Sequence, residues 1–295
     1  MRGILNINKP SGISSYDCIR RLKPLLRLKK IGHAGTLDPF ATGVLLILLN
    51  EATKISRLLM GLPKEYEAEI LFGIQTNTDD ITGKTIKTTP VPDLSPEEMA
   101  KFLSTRFCGE IEQVPPRFSA LKMSGKPLYK LARQGADFTP RPRTVTIYEI
   151  KLLKWQPPIA RLFVRVSSGT YIRALCRDIG LALFSSATLN RLSRTSIGNF
   201  KIEDAHPLEH LLNRKIRPVE ILVPIESAIE YLPKVIVSAS QAQALVQGKP
   251  VTGVFPSVGG GGRIVAQTED DRFLALTRIR NGSLAPERII YAERI

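Results

Sequence analysis

The stretch GHAGTLDPFATG, residues 32–43, is followed at once by the uncharged apolar run VLLILL, residues 44–49. Such a short apolar run is typical of a buried strand. Glycines allow the backbone to approach other backbone or a ligand, and Pro39 pushes Asp38 toward an extended conformation. We therefore expect Asp38 on a stiff loop beside the core, where a catalytic carboxylate is useful. A surface Asp-Pro turn is the simpler alternative for these residues.

Further motifs follow along the chain. They are GILNINKPSGISS at 3–15, EATK at 51–54, KEYEA at 64–68, GIQTNTDDITG at 73–83, QVPPRFSA at 113–120, GTYIR at 169–173 and LSRTSIG at 192–198. In this order and at these spacings, the set closely resembles the bacterial TruB family, which makes pseudouridine in the T loop of tRNA. The resemblance covers nearly the whole chain and is looser after about Leu232.

Length and composition indicate a folded protein. The chain has 295 residues, 43% of them hydrophobic, which allows one large domain and a small one. No apolar run approaches the ~20 residues of a membrane span, and no secretory signal is apparent at the N-terminus. Cys18, Cys108 and Cys176 form no CxxC pair. They favour a cytoplasmic protein with reduced thiols and argue against a disulfide framework or a Cys-based zinc site.

The charge favours a polyanionic partner. The net charge is +15 at pH 7, and the basic residues cluster. Residues 114–143 hold one acid, Asp137, against these basic side chains: Arg117, Lys122, Lys126, Lys130, Arg133, Arg141 and Arg143. Such a footprint is typical of nucleic-acid binding. The resemblance implies that this segment is a thumb-like insertion that closes on the RNA, and we expect it to be mobile without RNA and ordered with it.

Strand and helix patterns mix without regular βαβ alternation, so the predicted fold class is α+β. We place a domain boundary near Pro233, giving domains at 1–232 and 233–295. The resemblance implies a pseudouridine synthase fold, with a mixed β-sheet core flanked by helices and loops, for the first. For the second it implies a small β-barrel-like PUA domain that grips the acceptor end of tRNA. The glycine run at 259–262 is expected to be a hairpin tip.

Pseudouridine formation breaks an N-glycosidic bond, rotates the base and rejoins it through carbon. It exchanges no electrons and requires no metal or redox cofactor, only a positioned nucleophile or base in a closed pocket. Asp38 matches the family's catalytic Asp, which acts by covalent attack or by proton abstraction at the ribose. Arg173 matches the arginine that pairs with it, and such a partner lowers a carboxylate's pKa and fixes its direction.

The resemblance also implies residues that hold the substrate. Tyr66 stacks on the target base, Leu192 lines the base pocket, and His33 enters the RNA loop from which the base is flipped. From local sequence alone, each would be an ordinary core or hydrogen-bonded residue. Tyr171, like Arg173, lies off the apolar stripe of its helix and is free to face a pocket.

Lys9 and Asp80 match further family positions with supporting roles. Asn77 stands where the family often has Asp, which leaves the hydrogen bonding of the Asp80 loop open. A monomer that acts on tRNA without guide RNA is the form that the resemblance implies.

Three alternative functions stand beside the pseudouridine synthase hypothesis. His206-Pro207-Leu208-Glu209-His210 has the His-x-x-Glu-His form of some zinc peptidases, although Pro207 also suits the first turn of a helix. A non-catalytic RNA-binding protein would show the same basic charge. The guide-RNA-dependent relative of archaea and eukaryotes shares the Asp motif, whereas the compact start at Met1 and the thumb-like insertion favour the stand-alone bacterial form.

Overall fold

A computed structural model describes residues 1–123, 125–255, 262–270 and 273–291. The strands up to residue 223 are β1 Gly3–Lys9, β2 Ile31–Ala34, β3 Thr42–Leu49, β4 Lys64–Phe72, β5 Ile74–Thr76, β6 Thr85–Thr88, β7 Gly109–Gln113, β8 Lys122–Met123, β9 Lys126–Pro127, β10 Arg143–Gln156, β11 Ile159–Val166, β12 Ala187–Ile197, β13 Phe200–Lys201, β14 His206–Pro207 and β15 Leu222–Val223. The strands that follow are β16 Lys234–Ile236, β17 Val251–Thr252, β18 Arg263–Gln267, β19 Phe273–Arg280 and β20 Ser283–Ile289.

The helices lie between these strands. They are α1 Ser15–Leu26, α2 Ser56–Gly61, α3 Pro96–Phe107, α4 Leu128–Arg133, α5 Ile172–Ala182, α6 Leu208–Leu212, α7 Ile225–Ala228 and α8 Ala239–Val246, with 3-10 helices at Asn50–Ile55 and Pro218–Ile221. Helices α1 and α3 begin with capping boxes, in which Ser14 and Ser95 accept the backbone N–H of Asp17 and Glu98. These caps satisfy backbone donors that the first helical turn leaves free.

Within the described ranges, eleven strands form one mixed sheet. Its order is β14-β1-β3-β12-β4-β11-β10-β7, with β2 and β15 beside β3 and β1, and β13 beside β12. The pairs β1–β14 and β3–β12 are parallel, and the other pairs are antiparallel. A second sheet, with five strands among the described C-terminal residues, has the order β16-β18-β19-β20-β17. The predicted α+β class, with a mixed sheet and a small C-terminal β module, is confirmed.

Strand β3 lies between two apolar clusters of the core. It contains the predicted apolar run, and all of its residues except Thr42 are buried. Its side chains alternate between two apolar clusters, because successive residues of a strand point to opposite faces. Val44, Leu46 and Leu48 join one cluster, and Leu45 and Ile47 join the cluster under α1. The Asp38 loop runs directly into this strand, so it is anchored to the best-buried element of the fold.

Gly43 lies at the closest approach of two strands. It pairs with Arg194 of β12 and has φ +104°. A Cβ at this position would lie 2.2 Å from the backbone oxygen of Arg194 and 2.7 Å from its backbone nitrogen. Both the backbone conformation and the contact therefore require glycine.

Helix α5 carries the apolar stripe that the sequence predicts. Ile172, Leu175, Cys176 and Ile179 are buried and pack into the cluster that also contains Leu37 and Tyr66. The helix packs on β12, and this contact brings its N-terminus to the Asp38 loop.

Two predictions concern the glycine run at 259–262 and membrane-spanning segments. The glycine run predicted as a hairpin tip lies outside the described residues, apart from Gly262. In the described part of the chain, we find no helix that is both long enough and apolar enough to span a membrane.

We predict that Gly43→Ala destabilises the protein more than Gly109→Ala does. Gly109 has φ +102° but open space around its Cβ position, so it serves as a matched control for backbone strain alone. The clash with β12 adds overpacking, which costs about 1–3 kcal/mol. Urea unfolding of the two variants measures the difference. Equal losses of unfolding free energy would show that the strands can separate without cost.

Candidate active site

A two-pronged ion pair joins Asp38 to Arg173. The guanidinium donates from Nε to Oδ2 at 2.9 Å and from Nη2 to Oδ1 at 3.2 Å. Asp38 lies on the loop between β2 and β3, and Arg173 is on the first turn of α5. The arginine side chain is 5% exposed, whereas that of Asp38 is 32% exposed. The carboxylate is thus held in one direction while one side of it stays open, which is what a nucleophile or base needs.

Arg173 also organises the surrounding loops. Its Nη1 donates to the backbone oxygen of Thr78 at 3.0 Å and lies 3.6 Å from Oδ2 of Asp80. Its Nη2 donates to the backbone oxygen of Phe118 at 3.0 Å. One buried guanidinium therefore connects the Asp38 loop, the loop after β5 and the start of the basic thumb-like segment.

The loop around Asp38 is held by the connection between β1 and α1. Ser15 Oγ accepts the backbone N–H of Leu37 at 2.8 Å. The backbone oxygen of Pro39 accepts from Gly12 N at 2.8 Å and from Lys9 Nζ at 3.2 Å. Residues on both sides of Asp38 are therefore fixed, which agrees with the stiff loop expected from the sequence.

Lys9 is a fully buried cation without surface access. Its Nζ donates to the backbone oxygens of Pro10 and Ile13, each at 2.8 Å, as well as to Pro39. Burial lowers its pKa to about 8. Lys9 thus contributes to the site by holding the Asp38 loop rather than by contact with a ligand.

Asp80 lies behind Arg173 in a loop that is closed by its own hydrogen bonds. Its Oδ1 accepts from Thr78 Oγ1 at 2.8 Å, from Thr82 N at 3.0 Å and from Thr82 Oγ1 at 2.6 Å. Asn77 Oδ1 accepts the backbone N–H of Lys84 at 2.9 Å. The asparagine at position 77 therefore still supports this loop.

Burial raises the pKa of Asp38, and the positive charge of Arg173 opposes that rise. The two N–H donors bind one carboxylate oxygen each. Hydrogen bonds to both oxygens favour the charged form. Ionisation of Asp38 thus depends on the arginine that orients it.

Tyr66 and Leu192 lie in the apolar cluster beside the loop, together with Leu37. Tyr66 is 6% exposed on β4, and Leu192 is 8% exposed on β12. Leu192 also lines a cavity of about 530 Å³ that Phe40 and Thr42 of the Asp38 loop border. A larger cavity, of about 780 Å³, contains none of the predicted site residues.

Tyr171 precedes α5 and is half-buried. Its backbone N–H donates to Gln113 Oε1 at 2.8 Å, and its backbone oxygen accepts from Gln113 Nε2 at 3.2 Å. The guanidinium of Arg143 lies 5.8 Å from the centre of its ring. Gln113 therefore fixes the backbone just ahead of Arg173.

His33 lies on β2, opposite Ile47 of β3, and is half-buried. Burial lowers its pKa, so the imidazole is neutral at pH 7. Its Nδ1 is buried and has no hydrogen-bond partner among the described residues. His33 belongs to the strand that leads into the Asp38 loop.

Comparison with known proteins identifies the family. Residues 23–172 match the TruB family pseudouridylate synthase N-terminal domain, residues 173–230 match the tRNA pseudouridylate synthase B C-terminal domain, and residues 233–290 match the C-terminal region of pseudouridine synthase II TruB. The tRNA pseudouridine synthase B of Trichormus variabilis is 40% identical over 294 residues, which cover 98% of each chain. The chain belongs to the TruB family. The predicted resemblance is confirmed.

Chains in two solved structures have a fold similar to that of this protein. A Cbf5–Nop10–Gar1 complex contains a chain with TM-score 0.76 and 28% identity, covering 98% of this chain and 85% of that one. An H/ACA RNP bound to a substrate RNA with 2'-deoxyuridine contains one with TM-score 0.74 and 26% identity, covering 99% and 86%. The pseudouridine synthase fold predicted from the sequence is confirmed.

Several residues of the site had no role assigned from the sequence. Gln113 lies in a family motif, yet glutamine carries no signal for contact with the backbone of residue 171. Arg177 pairs with Asp79 at 3.0 Å and donates to the backbone oxygen of Val114 at 2.8 Å. Its spacing of four residues from Arg173 places both on one face of α5, which is a signal that the sequence does offer.

The His-x-x-Glu-His segment is split between β14 and α6. In the described ranges, no group of three or more His, Cys, Asp or Glu side chains is placed to hold a metal ion.

We predict that Arg173→Met raises the pKa of Asp38 further. Burial of the carboxyl persists in this variant, while the positive charge that opposes it is lost. Asp38 then keeps its proton to higher pH and is less ionised at any given pH. Carbon-13 NMR titration of the Asp38 carboxyl measures the change. Arg177→Met is the control, because Arg177 pairs with Asp79; an equal shift in both variants would contradict the assignment.

Proposed function

We propose that this protein isomerises uridine 55 in the T loop of tRNA to pseudouridine, as a tRNA pseudouridine synthase that needs neither a cofactor nor a guide RNA. The observation that supports the proposal is the Asp38–Arg173 ion pair in a chain of the TruB family. The resemblance in the sequence implies these two residues as the catalytic carboxylate and its arginine partner. The name of the Trichormus relative supports tRNA as the substrate.

Asp38 is the catalytic group in this proposal. A third of its side-chain surface is open, and Arg173 keeps it charged and directed. It reacts at the ribose of the target nucleotide, by covalent attack or by proton abstraction, and the base turns before it is rejoined through carbon. The pocket walls keep the freed base in place during this step.

The target base leaves its stack to reach Asp38. Flipping costs a few kcal/mol, which contacts in the pocket offset. Tyr66 stacks on the base, a contact worth about 1–3 kcal/mol, while Leu192 lines the pocket and Tyr171 closes it from the α5 side. His33, a neutral imidazole, enters the RNA loop. Asp80 and Lys9 hold Arg173 and the Asp38 loop, respectively, in place.

The RNA is held by charge on the thumb-like segment. Its basic residues are exposed, except for the half-buried Arg143, and Arg173 contacts the start of the segment at Phe118. Each phosphate that these side chains neutralise steepens the salt dependence of binding by about 0.7 to 0.9 log units per log unit of salt. The C-terminal PUA-like domain binds the acceptor end of the same tRNA, and the enzyme works as a monomer in the cytoplasm.

We predict that the protein alone converts the T-loop uridine of a tRNA transcript, as detected by chemical mapping of pseudouridine. Asp38→Asn is expected to lower the rate on the order of a thousandfold or more, as loss of a nucleophile does, while tRNA binding is retained. Asp93→Asn is the control, since Asp93 is an exposed carboxylate ahead of α3.

Two outcomes would contradict this proposal. Full activity of Asp38→Asn would remove Asp38 from the chemistry. Product that forms only after a guide RNA is added would assign the chain to the guide-dependent class.

We predict that tRNA increases the hydrogen-exchange protection of residues 114–143. The segment carries few apolar anchors and many exposed cations, so contacts with phosphate are expected to order it. Strand β3 is the internal control, because it is buried in either state. Equal protection of the thumb-like segment with and without tRNA would contradict this expectation.

A further inference from the structure

Arg194 is one of the largest fully buried side chains of the protein. It lies on β12, next to Gly43 of β3. Its Nε donates to the backbone oxygen of Val44 at 2.8 Å, and its Nη2 donates to the backbone oxygen of Gly35 at 2.8 Å. These two acceptors stand at the beginning and the end of the Asp38 loop. A single planar guanidinium therefore ties the two ends of that loop together.

The glycines of the loop make room for this arginine. A Cβ on Gly35, which has φ +81°, would lie 3.3 Å from Nη1 of Arg194, and a Cβ on Gly43 would meet the backbone of the same residue. Gly35 and Gly43, which flank Asp38, thus both leave space for Arg194. The contact with Arg194 therefore accounts for glycine at positions 35 and 43.

Tyr66 of β4 is the cross-strand partner of Arg194 of β12. Residues opposite each other in an antiparallel pair have neighbouring side chains on one face of the sheet. Arg194 therefore bonds the loop of the proposed nucleophile and lies beside the residue proposed to stack on the base. Among the described residues, no carboxylate forms a salt bridge with Arg194, so its role does not depend on neutralising an acid.

We propose that Arg194 is a positioning residue for the reaction, which sets the distance and angle between Asp38 and the base held by Tyr66. This inference rests on the proposed catalytic role of Asp38. Lysine cannot replace the arginine, because one ammonium on a flexible stem cannot hold both carbonyl oxygens in a fixed plane. A misplacement of about 1 Å in a catalytic site is sufficient to lower a rate about a hundredfold.

The test measures single-turnover pseudouridine formation and tRNA binding in Arg194→Lys. We expect the single-turnover rate constant to fall at least tenfold, with the Kd for tRNA within threefold of the wild-type value. Arg191→Lys is the matched control, since Arg191 is on the same strand but 82% exposed, and its rate is expected to stay unchanged. Arg194→Gln is a second variant, which removes the buried charge and keeps a single NH2 group, and it is expected to show the same loss of rate.

Circular dichroism and thermal melting show whether the variants fold at the assay temperature. A folded Arg194→Lys with a rate within threefold of wild type would overturn the proposal. So would a rate that falls only in proportion to tRNA affinity, or failure of both variants to fold. Asp38→Asn separates this inference from the proposed function: an active Asp38→Asn refutes the function, whereas an inactive Asp38→Asn with an active Arg194→Lys refutes only the role of Arg194.

Discussion

The ion pair between Asp38 and Arg173 connects two segments that are 135 residues apart in sequence. It forms because α5 packs on β12 and β12 pairs with β3, the strand into which the Asp38 loop leads. A buried guanidinium is stable only when its N–H groups are satisfied. Arg173 meets that requirement with Asp38 and with the backbone oxygens of Thr78 and Phe118. The hydrogen bonds that satisfy this one buried guanidinium therefore hold the segments of the site together.

Other buried cations near the Asp38 loop also have their N–H groups satisfied by oxygens. Lys9, Lys64 and Arg194 are buried cations that donate chiefly to backbone oxygens. Burial lowers the pKa of both lysines to about 8. Burying charge without an acid is costly, and the gain is rigidity, because a charged donor bonds a carbonyl more strongly than a neutral one. Arg194 thereby fixes the ends of the Asp38 loop and Lys9 its centre, whereas Lys64 bonds the residues just ahead of β4.

The rigid site and the basic surface are different kinds of structure. Around Asp38, the charged groups are buried and hydrogen-bonded, whereas in residues 114–143 they are mostly exposed. Exposed cations attract phosphate over a Debye length of about 8–10 Å without fixing its geometry. Buried donors fix geometry without adding affinity. In the proposed reaction, binding of RNA and alignment of its ribose can therefore change separately.

The sequence by itself determined the buried strand β3, the apolar stripe of α5 and the family to which the chain belongs, because these depend on local periodicity or on ordered motifs. Only the tertiary structure decided that Gln113 holds the backbone of Tyr171 and that Gly35 and Gly43 make room for Arg194. Sequence spacing carries no signal for contacts between a side chain and a distant carbonyl, because every residue offers the same carbonyl oxygen.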